Sequence, residues 1–313
     1  MELFDLHCDT LLLLADKRED FITNDNQFSL KECSDFTRMC QTLAVFIPDD
    51  VRGAAAEEYF DRYYYYFKYL TKCENAPAEQ ALKASDIAKI NAKGKCALFL
   101  SVENGAALAG DLSRVAYLKK CGIKIMTITW NGPNELASGH DDDDMGFTEF
   151  GRKAVAELEK SKIVVDVSHM NDKGFDELCT FAKRPFIASH SNLRSVCSHR
   201  RNLTEPQFAE IVKRGGLVGV NLVAPILDDE EKGTREAVLR HVYRMLELGG
   251  EDVIACGSDF DGAAICGMSI DPAFDTTAKF ASLSEYLSKE GVSDTVLRKM
   301  FFDNALSFFT RME

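Results

Sequence analysis

The chain has 313 residues, of which 46% are hydrophobic and 28% are charged. A hydrophobic fraction of this size is typical of a globular protein with a large core. The net charge is −13, and such an acidic surface argues against nucleic acids and anionic membranes as partners. These bulk properties leave small molecules open as the class of ligand.

The ten cysteines are scattered along the chain, without the CxxC pairs of redox motifs or zinc fingers. This usage is typical of a reducing compartment, where cysteine serves as a small buried apolar residue. The first apolar run starts too close to Met1 for a signal peptide, and no apolar stretch approaches the roughly 18 residues that span a bilayer. We therefore expect a cytoplasmic protein that does not associate with membranes.

Eight short apolar runs predict the strands of the fold, with helical patterns between them. The runs are LFDLHCD (3–9), TLAVFI (42–47), CALFLSVEN (96–104), KIMTITW (124–130), IVVDVSH (163–169), PFIASH (185–190), LVGVNLV (217–223) and VIACGSDFD (253–261). Near-continuous apolar strands are typical of a parallel sheet that is covered on both faces. The alternation predicts a single α/β domain over residues 1–313, a (β/α)8 TIM barrel. A doubly wound open sheet is the structural alternative.

Ionisable side chains stand at the carboxyl ends of the predicted strands. They are His7 and Asp9 on the first run, Glu103 on the third, His169 on the fifth, His190 on the sixth, and Asp259 and Asp261 on the eighth. In a (β/α)8 barrel these ends meet at one mouth, where active sites form. Three of the six histidines stand at strand ends, so we expect a cluster of imidazole and carboxylate groups at that mouth.

This set of side chains has the chemistry of a divalent metal site. Imidazole and carboxylate ligands suit zinc, manganese or a related ion. The set exceeds the needs of one tetrahedral site, whereas two ions about 3.5–4 Å apart, sharing one bridging carboxylate, use all of it. Two such ions activate water as a nucleophile, and a neighbouring acid can take and return its proton. The pattern therefore predicts metal-assisted hydrolysis.

Five motifs resemble those of the membrane dipeptidase (renal dipeptidase) family, peptidase family M19, a group of zinc metallopeptidases among the amidohydrolase-like barrels. The motifs are DLHCDT (5–10), SVENG (101–105), VDVSHMN (165–171), ASHSNLRSVCSHRRN (188–202) and GSDFDG (257–262). They occur in the family's order, and the last two are the most specific. The resemblance implies a barrel of the metal-dependent hydrolase type with two zinc ions and a dipeptide substrate.

The resemblance also implies a role for each matching residue. His7 and Asp9 match the ligands of one zinc ion, His169 and His190 those of the other, and Glu103 the carboxylate that bridges both. Asp259 matches the acid that handles the proton beside the substrate, and Arg201 matches an arginine that contacts the substrate. A hydroxide bridging the ions would attack the peptide bond, and the family's substrates include dipeptides with a C-terminal D-residue.

The segment TITWNGPN (127–134) departs from the family pattern. Trp130 stands where animal members carry a histidine that contacts the substrate. We expect Trp130 to border the substrate, and His140, on the loop that follows, is the candidate that swings in to replace the missing imidazole. Without the resemblance, Arg201 would be interpreted as half of a surface ion pair.

Four other polar residues near the motifs remain without an assigned function. His199 and His241 are interpreted as ordinary surface or structural residues. Asp5 is either a partner of the metal ligands or a salt-bridged residue in the floor of the barrel. No role follows from the pattern for Asp166.

Two other functions use the same residues. Amidohydrolase-type barrels also open non-peptide amides and lactones, because fold does not set function. A metal-binding protein without hydrolytic activity is the second alternative, and the complete ligand set with Asp259 argues against it. The family tends to form dimers, and the aromatic helical pattern at 55–72 is compatible with a homodimer.

Overall fold

The computed structural model describes residues 1–33 and 35–313, and the described residues form nine parallel strands in one sheet. The strands are β1 (Glu2–Cys8), β2 (Arg38–Phe46), β3 (Ala78–Gln80), β4 (Cys96–Glu103), β5 (Ile123–Thr127), β6 (Val164–Asp166), β7 (Ile187–Ala188), β8 (Leu217–Val220) and β9 (Ile254–Cys256). Eight of them close into a barrel, because β2 pairs with β1 on one side and with β4 on the other. The predicted (β/α)8 TIM barrel is confirmed, and the open-sheet alternative is wrong.

The strand β3 is an addition that the apolar pattern did not predict. It pairs with β4 from Cys96 to Leu98, whereas β5 pairs with β4 only from Leu100 onward. β3 thus covers the edge of β4 that β5 leaves unpaired near the bottom of the barrel. Its three residues, AEQ, are too few to show a periodicity of their own.

Helices alternate with the strands and surround the barrel. They are α1 (Thr10–Lys17), α2 (Ala54–Lys72), α3 (Ala84–Asn91), α4 (Arg114–Cys121), α5 (Glu149–Lys160), α6 (Asp172–Phe181), α7 (Glu205–Arg214), α8 (Ala224–Leu227), α9 (Arg235–Glu247), α10 (Gly262–Ile265), α11 (Phe280–Lys289), α12 (Asp294–Arg298) and α13 (Asn304–Met312). In α7, Thr204 and Gln207 form a capping box at the start, and Gly215 ends the helix in the left-handed conformation. Among the described residues, no helix combines the length and apolar character that crossing a bilayer requires.

The barrel is filled at the end where the strands begin. Phe4 of β1 and Phe99 of β4 belong to one buried cluster, and their ring centroids lie 5.4 Å apart. Phe309 of α13 packs on both, with its centroid 5.6 Å from Phe4 and 5.0 Å from Phe99. The C-terminal helix therefore closes this end, and the open mouth lies at the carboxyl ends of the strands.

Several strands end earlier than their apolar runs. The runs that finish at His169, His190 and Asp261 continue past the last residues of β6, β7 and β9. His169 has a φ of 71° and Asp259 a φ of 60°. A left-handed backbone is uncommon for residues other than glycine, and both residues lie three positions beyond the last residue of their strand. Such conformations concentrate at functional sites.

Candidate metal centre

The five side chains expected to bind metal converge at the open mouth of the barrel. They are His7 of β1, Glu103 at the end of β4, and Asp9, His169 and His190 on the loops after β1, β6 and β7. All five are buried. The parallel sheet therefore brings together polar side chains from four separate segments of the chain.

Two histidines form one half of this cluster. The Nε2 atoms of His169 and His190 lie 3.0 Å apart. Oε1 of Glu103 is 2.9 Å from Nε2 of His169 and 3.6 Å from Nε2 of His190. Three potential ligand atoms thus surround one small volume.

His7 and two aspartates form the other half. Nε2 of His7 lies 3.2 Å from Oδ2 of Asp9 and 3.7 Å from Oδ1 of Asp259. Oε2 of Glu103 is 3.5 Å from the same nitrogen. Glu103 therefore presents one oxygen to each half, which is the arrangement that a bridging carboxylate requires.

Hydrogen bonds on the outer ring nitrogens orient His169 and His190. Nδ1 of His169 lies 2.7 Å from Oδ1 of Asn131. Nδ1 of His190 lies 2.7 Å from Oγ of Ser189. An amide oxygen only accepts, so Nδ1 of His169 carries the proton and Nε2 keeps a lone pair. Partners of this kind direct the ligand nitrogen of metal-binding histidines.

The arrangement fits a divalent cation. Oδ1 of Asp9 is buried without a hydrogen-bond partner, and a cation would satisfy it. Two triplets of ligand atoms have all members within 4.8 Å of one another: His7, Glu103 and His190, and His7, Asp9 and Asp259. Imidazole nitrogens and carboxylate oxygens are the donors that suit zinc and related ions.

Gly262 leaves room for two of the carboxylates. A Cβ atom at this position would clash with Oδ2 of Asp9 and Oδ1 of Asp259. The backbone of α10 therefore approaches the cluster as closely as only glycine allows.

Burial and neighbouring charges shift the ionisation of the cluster. Burial raises the pKa of Glu103 well above its usual range, and Asp9 raises it further. Burial lowers the pKa of His7, but Asp9 and Glu103 outweigh that effect, and the pKa rises to about 10. Burial lowers the pKa values of His169 and His190 well below the usual range. These two rings are therefore neutral near pH 7, as metal ligands must be, whereas His7 would have to release a proton to bind a cation.

Arg201 lies inside the site rather than at the surface. Its side chain lines the cavity next to the cluster, and the residue is only 6% exposed. Burial lowers its pKa, while the carboxylates of Asp259 and Glu103 raise it. Nη2 is buried without a hydrogen-bond partner. The alternative of a surface ion pair is therefore wrong, and the guanidinium has a free donor for a ligand.

The cluster opens into a cavity of about 160 Å³. Trp130 lies in its wall and packs edge-to-face on Phe46 with ring centroids 4.8 Å apart. His140 also lines the cavity, and its buried Nδ1 has no hydrogen-bond partner. His140 therefore borders the site without any movement of its loop.

Sequence reasoning missed several residues of the cavity wall. His199 lines the cavity together with Ile226, Ile265 and Met268. His199 stands two residues before Arg201 in a recognised motif, so its position was a usable signal. The three apolar residues had no such signal in the sequence, because they lie on the short helices α8 and α10 and on the loop that follows α10.

The sequence matches the model of the membrane dipeptidases, peptidase family M19, over residues 1–313. A curated relative, an uncharacterized protein in the pqqA 5′ region of Klebsiella pneumoniae, is 28% identical over 236 residues, which are 72% of this chain and 85% of the relative. The whole chain thus matches one family.

Two solved structures share the fold. Dipeptidase AC, a metallopeptidase of family M19, is 25% identical with a TM-score of 0.91, over 100% of this chain and 98% of that chain. A metallopeptidase from Rhodobacter sphaeroides, liganded with a phosphinate mimic of the dipeptide L-Ala-D-Ala, is 24% identical with a TM-score of 0.91, over 100% of this chain and 99% of that chain. The chain therefore belongs to the membrane dipeptidase family, peptidase family M19, and is a metallo-dipeptidase with a TIM-barrel fold.

Proposed function

We propose that the chain is a binuclear zinc dipeptidase that holds its two ions on either side of Glu103. His7 and Asp9 would bind one ion, and His169 and His190 the other. The observation that carries the proposal is the placement of the Glu103 oxygens: Oε1 is 2.9 Å from His169 and Oε2 is 3.5 Å from His7. A single ion would leave the ligand atoms of one half unused.

Two zinc ions, when bound, lower the pKa of water toward neutrality and polarise the substrate carbonyl. Asp259 is placed to move the proton. Its Oδ2 accepts a hydrogen bond from Nδ2 of Asn221 at 2.9 Å, and its Oδ1 faces the cluster, 3.7 Å from Nε2 of His7. Burial raises the pKa of Asp259, which brings it closer to the working pH and favours both uptake and return of a proton. We assign Asp259 as the base toward water and the acid toward the leaving amine.

Arg201 would bind the C-terminal carboxylate of the substrate. Its unpartnered Nη2 offers a donor in a buried site. A guanidinium can hold a carboxylate through two parallel hydrogen bonds, which also orients it. In a dipeptide this carboxylate lies one residue beyond the scissile bond, so a clamp beside the metal cluster selects substrates with a single residue after that bond.

The size of the cavity supports a short substrate. Its volume of about 160 Å³ lies below the roughly 300–1,000 Å³ of sites for drug-sized ligands. Trp130 and Phe46 would form an apolar wall against a substrate side chain. The metallopeptidase from Rhodobacter sphaeroides is liganded with a mimic of L-Ala-D-Ala, and we extend the proposal to a D-residue at the second position.

Hydrolysis of a dipeptide panel by the zinc-loaded protein tests the proposal. L-Ala-L-Ala and L-Ala-D-Ala, each with a free and an amidated C-terminus, separate stereochemistry from carboxylate recognition. We expect two zinc ions per chain by elemental analysis and cleavage of the free-carboxylate members only. Equal cleavage of the amidated members would exclude the clamp by Arg201. If none of the dipeptides is cleaved although two ions are bound, the substrate is instead a non-peptide amide or a lactone.

A homodimer and a cytoplasmic location stay predictions. On α2, Tyr63 is buried, whereas Tyr65 and Tyr69 are 63% and 65% exposed. Exposed tyrosines are enriched at protein interfaces, which supports a dimer through this helix. Light scattering of the purified protein would distinguish a dimer from a monomer.

A further inference from the structure

Asp166 ends β6 beside the metal cluster, and its side chain is fully buried. Its Oδ1 accepts hydrogen bonds from the backbone N–H groups of Ser168 at 3.0 Å and Ser189 at 2.8 Å. Its Oδ2 accepts from the hydroxyl groups of Thr127 and Ser189, both at 2.6 Å. Neutral donors therefore satisfy both oxygens of a carboxylate that cannot reach solvent.

The hydroxyl of Ser189 links Asp166 to His190. Ser189 has one hydroxyl proton, and it goes to Asp166, because a carboxylate only accepts. Toward Nδ1 of His190, at 2.7 Å, the same oxygen can then only accept. Nδ1 of His190 must therefore carry the ring proton, which leaves Nε2 with a lone pair.

That lone pair is the one that the metal cluster needs. Nε2 of His190 lies 3.0 Å from Nε2 of His169 and 3.6 Å from Oε1 of Glu103. A proton on Nε2 would occupy the ligand position. We infer that Asp166 is a positioning residue that selects the metal-binding tautomer of His190 through Ser189. This inference rests on the proposed function only for the identity of the metal.

A second pair of residues repeats the arrangement without reaching a ligand ring. Asp5, also fully buried, accepts from the backbone N–H of Ser258 at 2.9 Å and from its hydroxyl at 2.5 Å. The hydroxyl of Ser258 also lies 3.1 Å from the backbone carbonyl of His7. No ion pair within the described residues involves Asp5, so its interpretation as a salt-bridged residue is wrong. Asp5 therefore provides a matched structural control for Asp166.

The variant Asp166→Asn should reverse the direction of the hydrogen bonds. The two backbone N–H donors keep the amide oxygen at the Oδ1 position, so the amide nitrogen replaces Oδ2. The hydroxyl of Ser189 must then accept from the amide and donate to Nδ1 of His190. The proton of the imidazole moves to Nε2, as it does when the buried aspartate of a catalytic triad is replaced by asparagine.

Ring-nitrogen chemical shifts of His190 in the metal-free protein test the inference directly. We expect a protonated Nδ1 in the wild type and in Asp5→Asn, and a protonated Nε2 in Asp166→Asn. In a chelator competition, we expect Asp166→Asn to weaken one of the two zinc affinities by about 10–100-fold. The chemical shifts require neither zinc nor a substrate, so they are independent of the dipeptidase assay.

Two results would overturn the inference. One is a protonated Nε2 of His190 in the wild type, and the other is an unchanged tautomer in Asp166→Asn. If Asp166→Asn does not fold, the variant Ser189→Ala is used instead. In this variant the backbone N–H of residue 189 still binds Asp166, but the hydroxyl that links Asp166 to His190 is absent. We expect a mixture of the two His190 tautomers in Ser189→Ala. An unchanged tautomer in this variant would equally refute the role of the Ser189 hydroxyl.

Discussion

The imidazole rings of His7 and His190 are stacked, with centroids 3.9 Å apart and an angle of 27° between the planes. The two rings belong to opposite halves of the metal cluster, so the halves share a wall as well as the carboxylate of Glu103. A displacement of ligands in one half should therefore alter metal binding in the other half. We expect the two metal ions to bind in a coupled way rather than independently.

Replacing Glu103 by glutamine should disturb both halves. The amide keeps the shape but loses the charge and one of the two oxygens that face the histidines. We expect the zinc content to fall below two ions per chain, and kcat/KM to fall by about 100-fold or more, because a bridging ligand touches both ions. The control Glu149→Gln removes a carboxylate that is 85% exposed on α5 and should change neither value. Two bound ions with full activity in Glu103→Gln would refute the bridging role.

Replacing Arg201 by lysine should weaken recognition of the substrate carboxylate. Lysine keeps the charge but lacks the planar fork that binds both oxygens. A hydrogen bond to a charged group contributes about 1.5–3 kcal/mol, so kcat/KM for free-carboxylate dipeptides should fall by about 10–100-fold. The control Arg200→Lys changes a neighbour that is 48% exposed and paired with Asp143. Equal losses for free and amidated dipeptides in Arg201→Lys would contradict the clamp.

Replacing Trp130 by alanine should shift the substrate preference toward larger side chains. The indole packs on Phe46 and borders the cavity, so its removal enlarges the cavity. We expect the ratio of kcat/KM for a leucine-containing over an alanine-containing dipeptide to rise by about 10-fold. The control Tyr65→Ala removes an exposed aromatic ring of α2 and should leave the ratio unchanged. An unaltered ratio in Trp130→Ala would place the side-chain subsite elsewhere.

Replacing Gly262 by alanine should damage the metal centre while leaving the barrel folded. The new Cβ would collide with Asp9 and Asp259, so both carboxylates would have to leave their present positions beside His7. We expect zinc affinity and kcat/KM to fall by about 10–100-fold at an unchanged circular dichroism spectrum. Ala264→Ser, at an exposed position of the same short helix, is the control. Wild-type zinc binding in Gly262→Ala would show that the carboxylates tolerate the displacement.

His241 should make stability depend on pH below neutrality. Nδ1 of this buried ring accepts from the backbone N–H of Leu193 at 3.3 Å, and Nε2 donates to the carbonyl of Leu227 at 3.0 Å. The bond from Leu193 requires the neutral form because Nδ1 must keep its lone pair, and burial lowers the pKa of His241 to about 4. The unfolded chain takes up a proton near pH 6.5, so stability is complete above that value and falls as the pH drops toward 4.

The lowered pKa of His241 corresponds to a loss of up to about 3 kcal/mol in the free energy of unfolding between about pH 6.5 and about pH 4. Denaturant unfolding from about pH 7.5 to about pH 4 should show a weaker pH dependence for His241→Gln than for the wild type, because glutamine does not titrate. The control His199→Gln changes a histidine at the cavity wall and should retain most of the wild-type dependence. Identical curves for the wild type and His241→Gln would refute the assignment.

Much of the fold and of the site was predictable because the relevant signals are local. A strand that is buried on both faces must be apolar over its own length, so runs such as 96–104 and 217–223 identified β4 and β8. Polar residues at the end of such a run must lie at the mouth of the barrel, which predicted the placement of His7 and Glu103. The strand β3 lacked this signal because it is short. That one domain extends over residues 1–313 stays a prediction.

Residue type and position along the strands were therefore enough to predict the barrel and the side chains that could bind a metal. They could not show that Arg201 is buried, that Asp166 reaches His190 through Ser189, or that Ile265 borders the cavity. These relationships join segments far apart in the chain, and their distances exist only after the strands close into a barrel. A carboxylate has the same chemistry wherever it stands, but its neighbours, its pKa and its role follow from which atoms the closed barrel places within hydrogen-bonding distance.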